Sequence, residues 1–125
     1  MAIENKRKVV AIVDDDESVR SALEGLMKES GFSALTFACA EEFLNSGEEQ
    51  HTVCLIADIR LPGMSGLDLQ SKLNENHHRI PILFITAHGD EKKRMQALRA
   101  GAVEFLTKPF DDEVLLDNLR IALES

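Results

Sequence analysis

Five short apolar runs alternate along the chain with five amphipathic stretches, and this alternation predicts most of the architecture. Val9-Val-Ala-Ile-Val13 is the first run, apolar at consecutive positions as a strand buried on both faces must be. From Ser18 to Ser30, the residues Val19, Ala22, Leu23, Leu26 and Met27 recur at the spacing of one helix face. Gly31 follows in the position where glycine commonly ends a helix. Ser33-Ala-Leu-Thr-Phe37 reads as a short, half-polar strand, and Ala40 to Leu44 as a brief helix closing near Ser46-Gly47. Val53 to Ala57 is a third strand, with Asp58 at its C-terminal tip. Pro62 and Gly63 then turn the chain toward a helix from Gly66 to about Asn74, for which Ser65 and Asp68 have capping-box spacing. Asn76 to Arg79 is a polar loop, and Pro81 admits the fourth strand, Ile82-Leu-Phe-Ile-Thr86. A helix runs from about Glu91 to Ala100, Gly101 closes it, and Val103 to Thr107 is the fifth strand. Asp111 caps a last helix carrying Leu115, Leu116, Leu119, Ala122 and Leu123.

Regular strand–helix alternation predicts an α/β fold: a five-stranded parallel sheet with helices on both faces, joined by right-handed crossovers. Strands one, three and four are apolar almost throughout and belong inside the sheet, whereas Ser33, Thr36, Glu104 and Thr107 suit strands two and five to its edges. The order 2-1-3-4-5, the flavodoxin-like order, meets that requirement and puts the reversal of winding between strands one and three. Residues 1–125 are expected to form one domain, with 1–7 a frayed N-terminal extension.

Composition narrows the function classes. At 125 residues, 44% hydrophobic and 29% charged, the chain reads as globular. No apolar run approaches the ~20 residues that span a bilayer. Met1 to Lys8 carries charges with no apolar region behind them, so neither a membrane span nor a signal peptide is expected, and the expected location is cytoplasmic. A net charge of −8 opposes direct binding to a nucleic-acid backbone, and Lys6-Arg-Lys8 reads as a solvated end. Cys39 and Cys54 read as packing residues, and His51, His77 and His78 as loop residues.

The chemistry gathers at one end of the sheet. Strand one ends in Asp14-Asp15-Asp16, strand three in Asp58, strand four in Thr86 and strand five in Thr107-Lys108-Pro109. In a parallel sheet these ends share one edge, and those of strands one and three flank the reversal, where ligands bind. Asp16 reads as a helix-start residue; Asp14, Asp15 and Asp58 remain as converging carboxylates. Two bare charges ~4 Å apart repel by about 4 kcal/mol at an effective dielectric of about 20. Lys108 cannot balance all of them, so a divalent cation with oxygen ligands is expected, magnesium rather than zinc because no Cys or His joins the cluster. A carboxylate beside such a cation can serve as a phosphoryl nucleophile, with Lys108 and the Thr86 hydroxyl to meet the phosphoryl oxygens.

On Val13-Asp-Asp15 after strand one, Asp58 with Pro62 and Gly66 after strand three, Thr86-Ala87 after strand four and Lys108-Pro109-Phe110 after strand five, the chain resembles the receiver domain of bacterial response regulators. The resemblance runs over essentially the full length. Gly101-Ala-Val-Glu-Phe105 leading to Lys108-Pro-Phe110 is similar to receivers that precede a helix-turn-helix output domain, so the chain is expected to be a stand-alone or an excised receiver. The resemblance implies that Asp58 takes a phosphoryl group from a phosphohistidine on a sensor histidine kinase or phosphotransfer protein. It implies magnesium, or manganese in its place, on Asp15, Asp58 and the Arg60 carbonyl, with Asp14 placing metal-bound water. Lys108, in a cis bond to Pro109, would pair with the phosphoryl group, and Thr86 and Ala87 would contact it. Thr86 would swing toward it, letting Phe105 turn inward and reshaping the helix 4–strand 5–helix 5 face for an output partner or a second copy of the chain. Arg60 and His88 would tune the phosphoryl lifetime. Such a domain signals, and catalyses only its own phosphorylation and dephosphorylation. One enzyme class competes: Asp14-x-Asp16-x-Ser18 loosely mimics the signature of haloacid dehalogenase-type phosphatases, which would make Asp14 the nucleophile. An FMN binder on the same sheet order fails, because three acids stand where a phosphate loop rich in Gly, Ser and Thr is needed.

Overall fold

The computed structural model describes residues 9–87 and 89–124. In chain order these form β1 (Val9–Val13), α1 (Glu17–Glu29), β2 (Ser33–Phe37), α2 (Ala40–Ser46), β3 (Thr52–Asp58), α3 (Gly66–Glu75), β4 (Ile82–Thr86), α4 (Glu91–Arg99), β5 (Glu104–Thr107) and α5 (Asp112–Glu124). Between α2 and β3 lies a 3-10 turn, Glu48–His51, that the apolar pattern does not announce. It starts behind Gly47, whose φ of 76° stops α2, and it buries no residue, so it leaves no hydrophobic period to read. The expected extension 1–7 and the basic Lys6-Arg-Lys8 lie outside the described residues.

Side-chain oxygens start the helices by occupying amide groups that have no partner within the first turn. Asp16 accepts the Ser18 N–H at 2.9 Å, Asp90 those of Lys92 and Lys93, and Asp111 that of Glu113 at 2.8 Å. Ser65 and Asp68 form the reciprocal capping box of α3.

The strands are parallel in the order β2-β1-β3-β4-β5. Because side chains alternate across a strand, the interior strands split their apolar residues between two cores. Ala11, Val13, Leu55, Ala57 and Phe84 pack with Phe43 of α2, Leu69 and Leu73 of α3 and Ala97 of α4. Val10, Ile12, Cys54, Ile56 and Ile85 face the other way, against Leu23 and Met27 of α1 and Leu115, Leu119 and Ala122 of α5. Helices two, three and four therefore cover one face, and helices one and five the other.

Attachment differs among the helices. Helix α5 buries Leu115, Leu119 and Ala122, whereas α4 buries Ala97 alone. Two amides of α3 add to that hold: Gln70 Nε2 donates to the Ala97 carbonyl at 3.0 Å and Asn74 Nδ2 to the Ala100 carbonyl at 3.1 Å. Among the described residues, no helix is long and apolar enough to cross a membrane.

Candidate functional site

Strand register brings the polar strand ends together. Val13 stands opposite Ala57, so the next residues, Asp14 and Asp58, fall side by side. Thr86 closes β4 opposite Thr107, and Lys108 follows at the end of β5. The Lys108 ammonium reaches back across the edge and donates to Asp14 Oδ2 at 2.9 Å and to Asp58 Oδ2 at 3.0 Å. The other oxygen of each acid takes a backbone amide: Asp14 Oδ1 accepts from Asp16 N–H at 2.9 Å and Asp58 Oδ1 from Arg60 N–H at 3.0 Å. Asp15 sits beside this bridge, and ligand oxygens of Asp14, Asp15 and Asp58 all lie within 4.8 Å of one another. Exposure separates the three: Asp14 is 0% exposed, Asp58 is 7% exposed and Asp15 is an open surface residue.

Burial raises the Asp58 carboxyl above the ordinary carboxylate range, and the neighbouring Asp14 charge adds to this, against the Arg60 amide and the Lys108 ammonium that favour the charged form. For Lys108 burial pulls downward, but its bonds to Asp14 and Asp58 outweigh that, and the ammonium is held more firmly than a free lysine's. One ammonium thus bridges two carboxylates, and Asp15 makes no ion pair among the described residues. An all-oxygen donor set with negative charge left over fits a hard divalent cation of magnesium's kind.

Glycine is required where the loop after β3 doubles back. A Cβ on Gly66 would run into the Asp58 carbonyl, so a side chain there would push the α3 start away from the acid. Gly63 has a φ of 74°, and a Cβ there would lie 2.7 Å from Glu41 Oε2. Two supports of the site were not singled out from the sequence. Arg20 Nη1 of α1 donates to the Asp14 carbonyl at 2.7 Å, and Glu41 Oε2 of α2 accepts the Met64 N–H at 3.0 Å. The Met64 amide is the foremost cause holding the Glu41 carboxyl below its ordinary range.

Thr86 is buried at the end of β4, and Ala87 beside it is exposed. The Phe105 ring lies inside, 6% exposed and 6.4 Å from the Phe84 ring. Register explains this, since Phe105 stands opposite Phe84 and shares its core. The Lys108–Pro109 peptide bond is cis. Arg60 has an exposed side chain, and His88 lies outside the described residues. Away from the site, His51 pairs with Glu48 at 3.6 Å on the 3-10 turn. Cys54 is a buried packing residue, its thiol pushed up to about 12 by burial.

Fold and site together define a class: a flavodoxin-like α/β domain with an acidic site built on an Asp–Lys–Asp bridge at the reversal of the sheet. The family model described as the response regulator receiver domain matches residues 10–120, and the chain belongs to that family. It is 45% identical over 120 residues to the response regulator protein TodT of Pseudomonas putida, covering 96% of this chain and 53% of that protein. It thus spans about half the length of that relative. Among solved structures, response regulator StyR superposes with a TM-score of 0.87 at 47% identity, over 94% of this chain and 60% of that one. FixJ-N superposes with a TM-score of 0.85 at 36% identity, covering 98% and 96% of the two chains. The chain is a signalling domain by this membership. The haloacid dehalogenase alternative is not supported: the family that matches is the receiver domain, and Asp14, the nucleophile it would need, is wholly buried.

Proposed function

We propose that this receiver is a phosphoacceptor and that Asp58 is the residue phosphorylated. One observation carries the assignment: of the two acids bridged by Lys108, only Asp58 is open to a donor, at 7% exposure against 0% for Asp14. A carboxylate oxygen of Asp58 attacks the phosphorus of a phosphohistidine. The P–N bond breaks with its electron pair returning to the imidazole, and Asp58 becomes an acyl phosphate that water later hydrolyses. Lys108 follows the negative charge from carboxylate to phosphoryl oxygen, and Thr86, with Ala87 beside it, supplies contacts to another phosphoryl oxygen. Asp15, Asp58 and the Arg60 carbonyl would hold the divalent cation, magnesium or manganese, and Asp14 would hold its water. When bound, the cation neutralises charge on the transferring phosphoryl group. Arg60, two residues beyond Asp58 in the sequence, and His88, two beyond Thr86, tune how long the acyl phosphate lasts.

The donor is a sensor histidine kinase or phosphotransfer protein in the cytoplasm. An apolar groove between α1 and the residues after β5, lined by Leu23, Leu26, Lys108, Pro109 and Phe110, shares Lys108 with the site, so a donor reaching Asp58 lies across it. The output partner, or a second copy of the chain, reads the face of α4, β5 and α5. The large apolar side chains exposed among the described residues, Met95, Val114 and Ile121, are on two of those elements. Phosphorylation acts as a local charge change on a lightly held α4 and on Phe105 beneath it.

The test is mass spectrometry of the chain after incubation with acetyl phosphate and magnesium. Wild type is expected to gain one phosphoryl group and Asp58→Asn none. Label kept in Asp58→Asn and lost in Asp14→Asn would overturn the assignment.

A further inference from the structure

The loop from Asp58 to Gly66 must keep its shape if backbone as well as side chain is to meet a group at the sheet's reversal. Its ends are fixed from within. Arg60 N–H bonds Asp58 Oδ1 at 3.0 Å, Gly66 N–H bonds the Ile59 carbonyl at 2.9 Å, and Ser65 is tied to Asp68. Residues 61–64 have no such internal bond among the described residues. Their backbone is held from outside, by Glu41 Oε2 on the Met64 N–H at 3.0 Å. The contact is built from both sides. Gly63, at a φ of 74°, brings the loop so near the same oxygen that a Cβ would lie 2.7 Å away. On the other side, Glu41 stands in the first turn of α2 between Ala40 and Phe43, both fully buried, so the helix that carries it is anchored in the core. Its neighbour Glu42 is used elsewhere, on the Ala38 N–H at 3.0 Å.

We infer that Glu41 is a positioning residue for the acceptor loop: by holding the Met64 amide above Gly63 it fixes the turn that carries the Arg60 carbonyl and closes on Asp58, and so sets the affinity of the acidic site for its divalent cation. The inference rests on the reading of Asp15, Asp58 and the Arg60 carbonyl as the cation's ligands. Glu41 touches none of them; its effect passes through the backbone between residues 60 and 64. Without it the loop samples other shapes, and the cation has to bind a site that is formed only part of the time. A hydrogen bond to a charged but partly exposed carboxylate sets the size of the effect at about fivefold in affinity.

Two measurements on the full chain test this: amide hydrogen exchange at Met64 in metal-free protein, and magnesium affinity by titration calorimetry. Glu41→Ala is expected to speed exchange at Met64 and to weaken magnesium binding about fivefold. Glu41→Gln keeps an acceptor oxygen at the same reach and is expected to restore most of both. Gly63→Ala drives a methyl group into the Glu41 carboxylate, so it is expected to mimic Glu41→Ala, and the double variant to bind no worse than the weaker single one. Magnesium affinity unchanged in Glu41→Ala overturns the inference, as does a Gln variant as weak as the Ala variant. A wild-type chain that binds no magnesium overturns the cation reading and this inference together, whereas wild-type binding matched by Glu41→Ala overturns this inference alone.

Discussion

Lys108 stands between two carboxylates, and that bridge decides what each acid can do. Asp14 is sealed beneath it, while Asp58 keeps an open edge at the expense of an ionised carboxylate in a largely buried place. Because burial raises the Asp58 pKa, the folded chain holds that proton more tightly than the unfolded chain. The folded state is therefore favoured below the unfolded carboxylate value of about 4, and this contribution is lost as pH rises through the raised folded value. In metal-free protein near neutral pH, Asp58→Asn, which has the shape without the charge, is expected to melt higher than wild type by about 2–5 °C. Thermal melts across pH check this: the gap should close as pH falls toward 4, where wild-type Asp58 takes up its own proton. A gap that widens on acidification would contradict the sign. Asp14, Asp58 and Lys108 were legible in the sequence because each is a charge at the end of an apolar run. Arg20 and Glu41 were not, because each bonds a backbone atom on another element, and a backbone atom leaves no mark in the residue pattern.

At the scale of elements, α4 is the least firmly seated of the long helices. It buries one residue, Ala97, where α5 buries three, so more of its hold passes through polar contacts from Gln70 and Asn74. Gln70 is 3% exposed, and removing its amide deletes a buried hydrogen bond and leaves a void. Gln70→Ala is expected to cost about 1–2 kcal/mol in global stability. Most of the added exchange should appear in α4, while α1 and α5 stay protected; hydrogen exchange read by mass spectrometry resolves the helices separately. Uniform loss of protection across the fold would show that α4 is no looser than the rest. The interior strands were legible because buried parallel strands are continuous apolar runs, and three helix starts because Asp16, Ser65 and Asp111 lie where caps belong. The 3-10 turn escaped because it buries nothing, and the buried position of Phe105 because strand-to-strand register, not local sequence, places it on Phe84.

For the whole molecule, the two cores and the acidic edge oppose each other. The cores on either side of the sheet hold the strand ends in register, and the register forces Asp14, Asp15 and Asp58 together in a chain whose net charge is already −8. The unfolded chain lets those acids separate, so a cation that requires all of them binds the folded state alone and stabilises it by mass action. At a magnesium concentration tenfold above its dissociation constant, the gain is about 1.4 kcal/mol, or roughly 5 °C in Tm for a domain of this size. Melts in magnesium chloride against sodium chloride of equal ionic strength separate binding from screening, since screening of the acidic edge acts in both salts. Wild type is expected to show the magnesium-specific rise, and Asp58→Asn less than half of it, having lost one of the three clustered carboxylates. A Tm that rises equally in both salts would leave the acidic edge as a patch of repulsion that any electrolyte relieves, and the cation would have no part in the chemistry of Asp58.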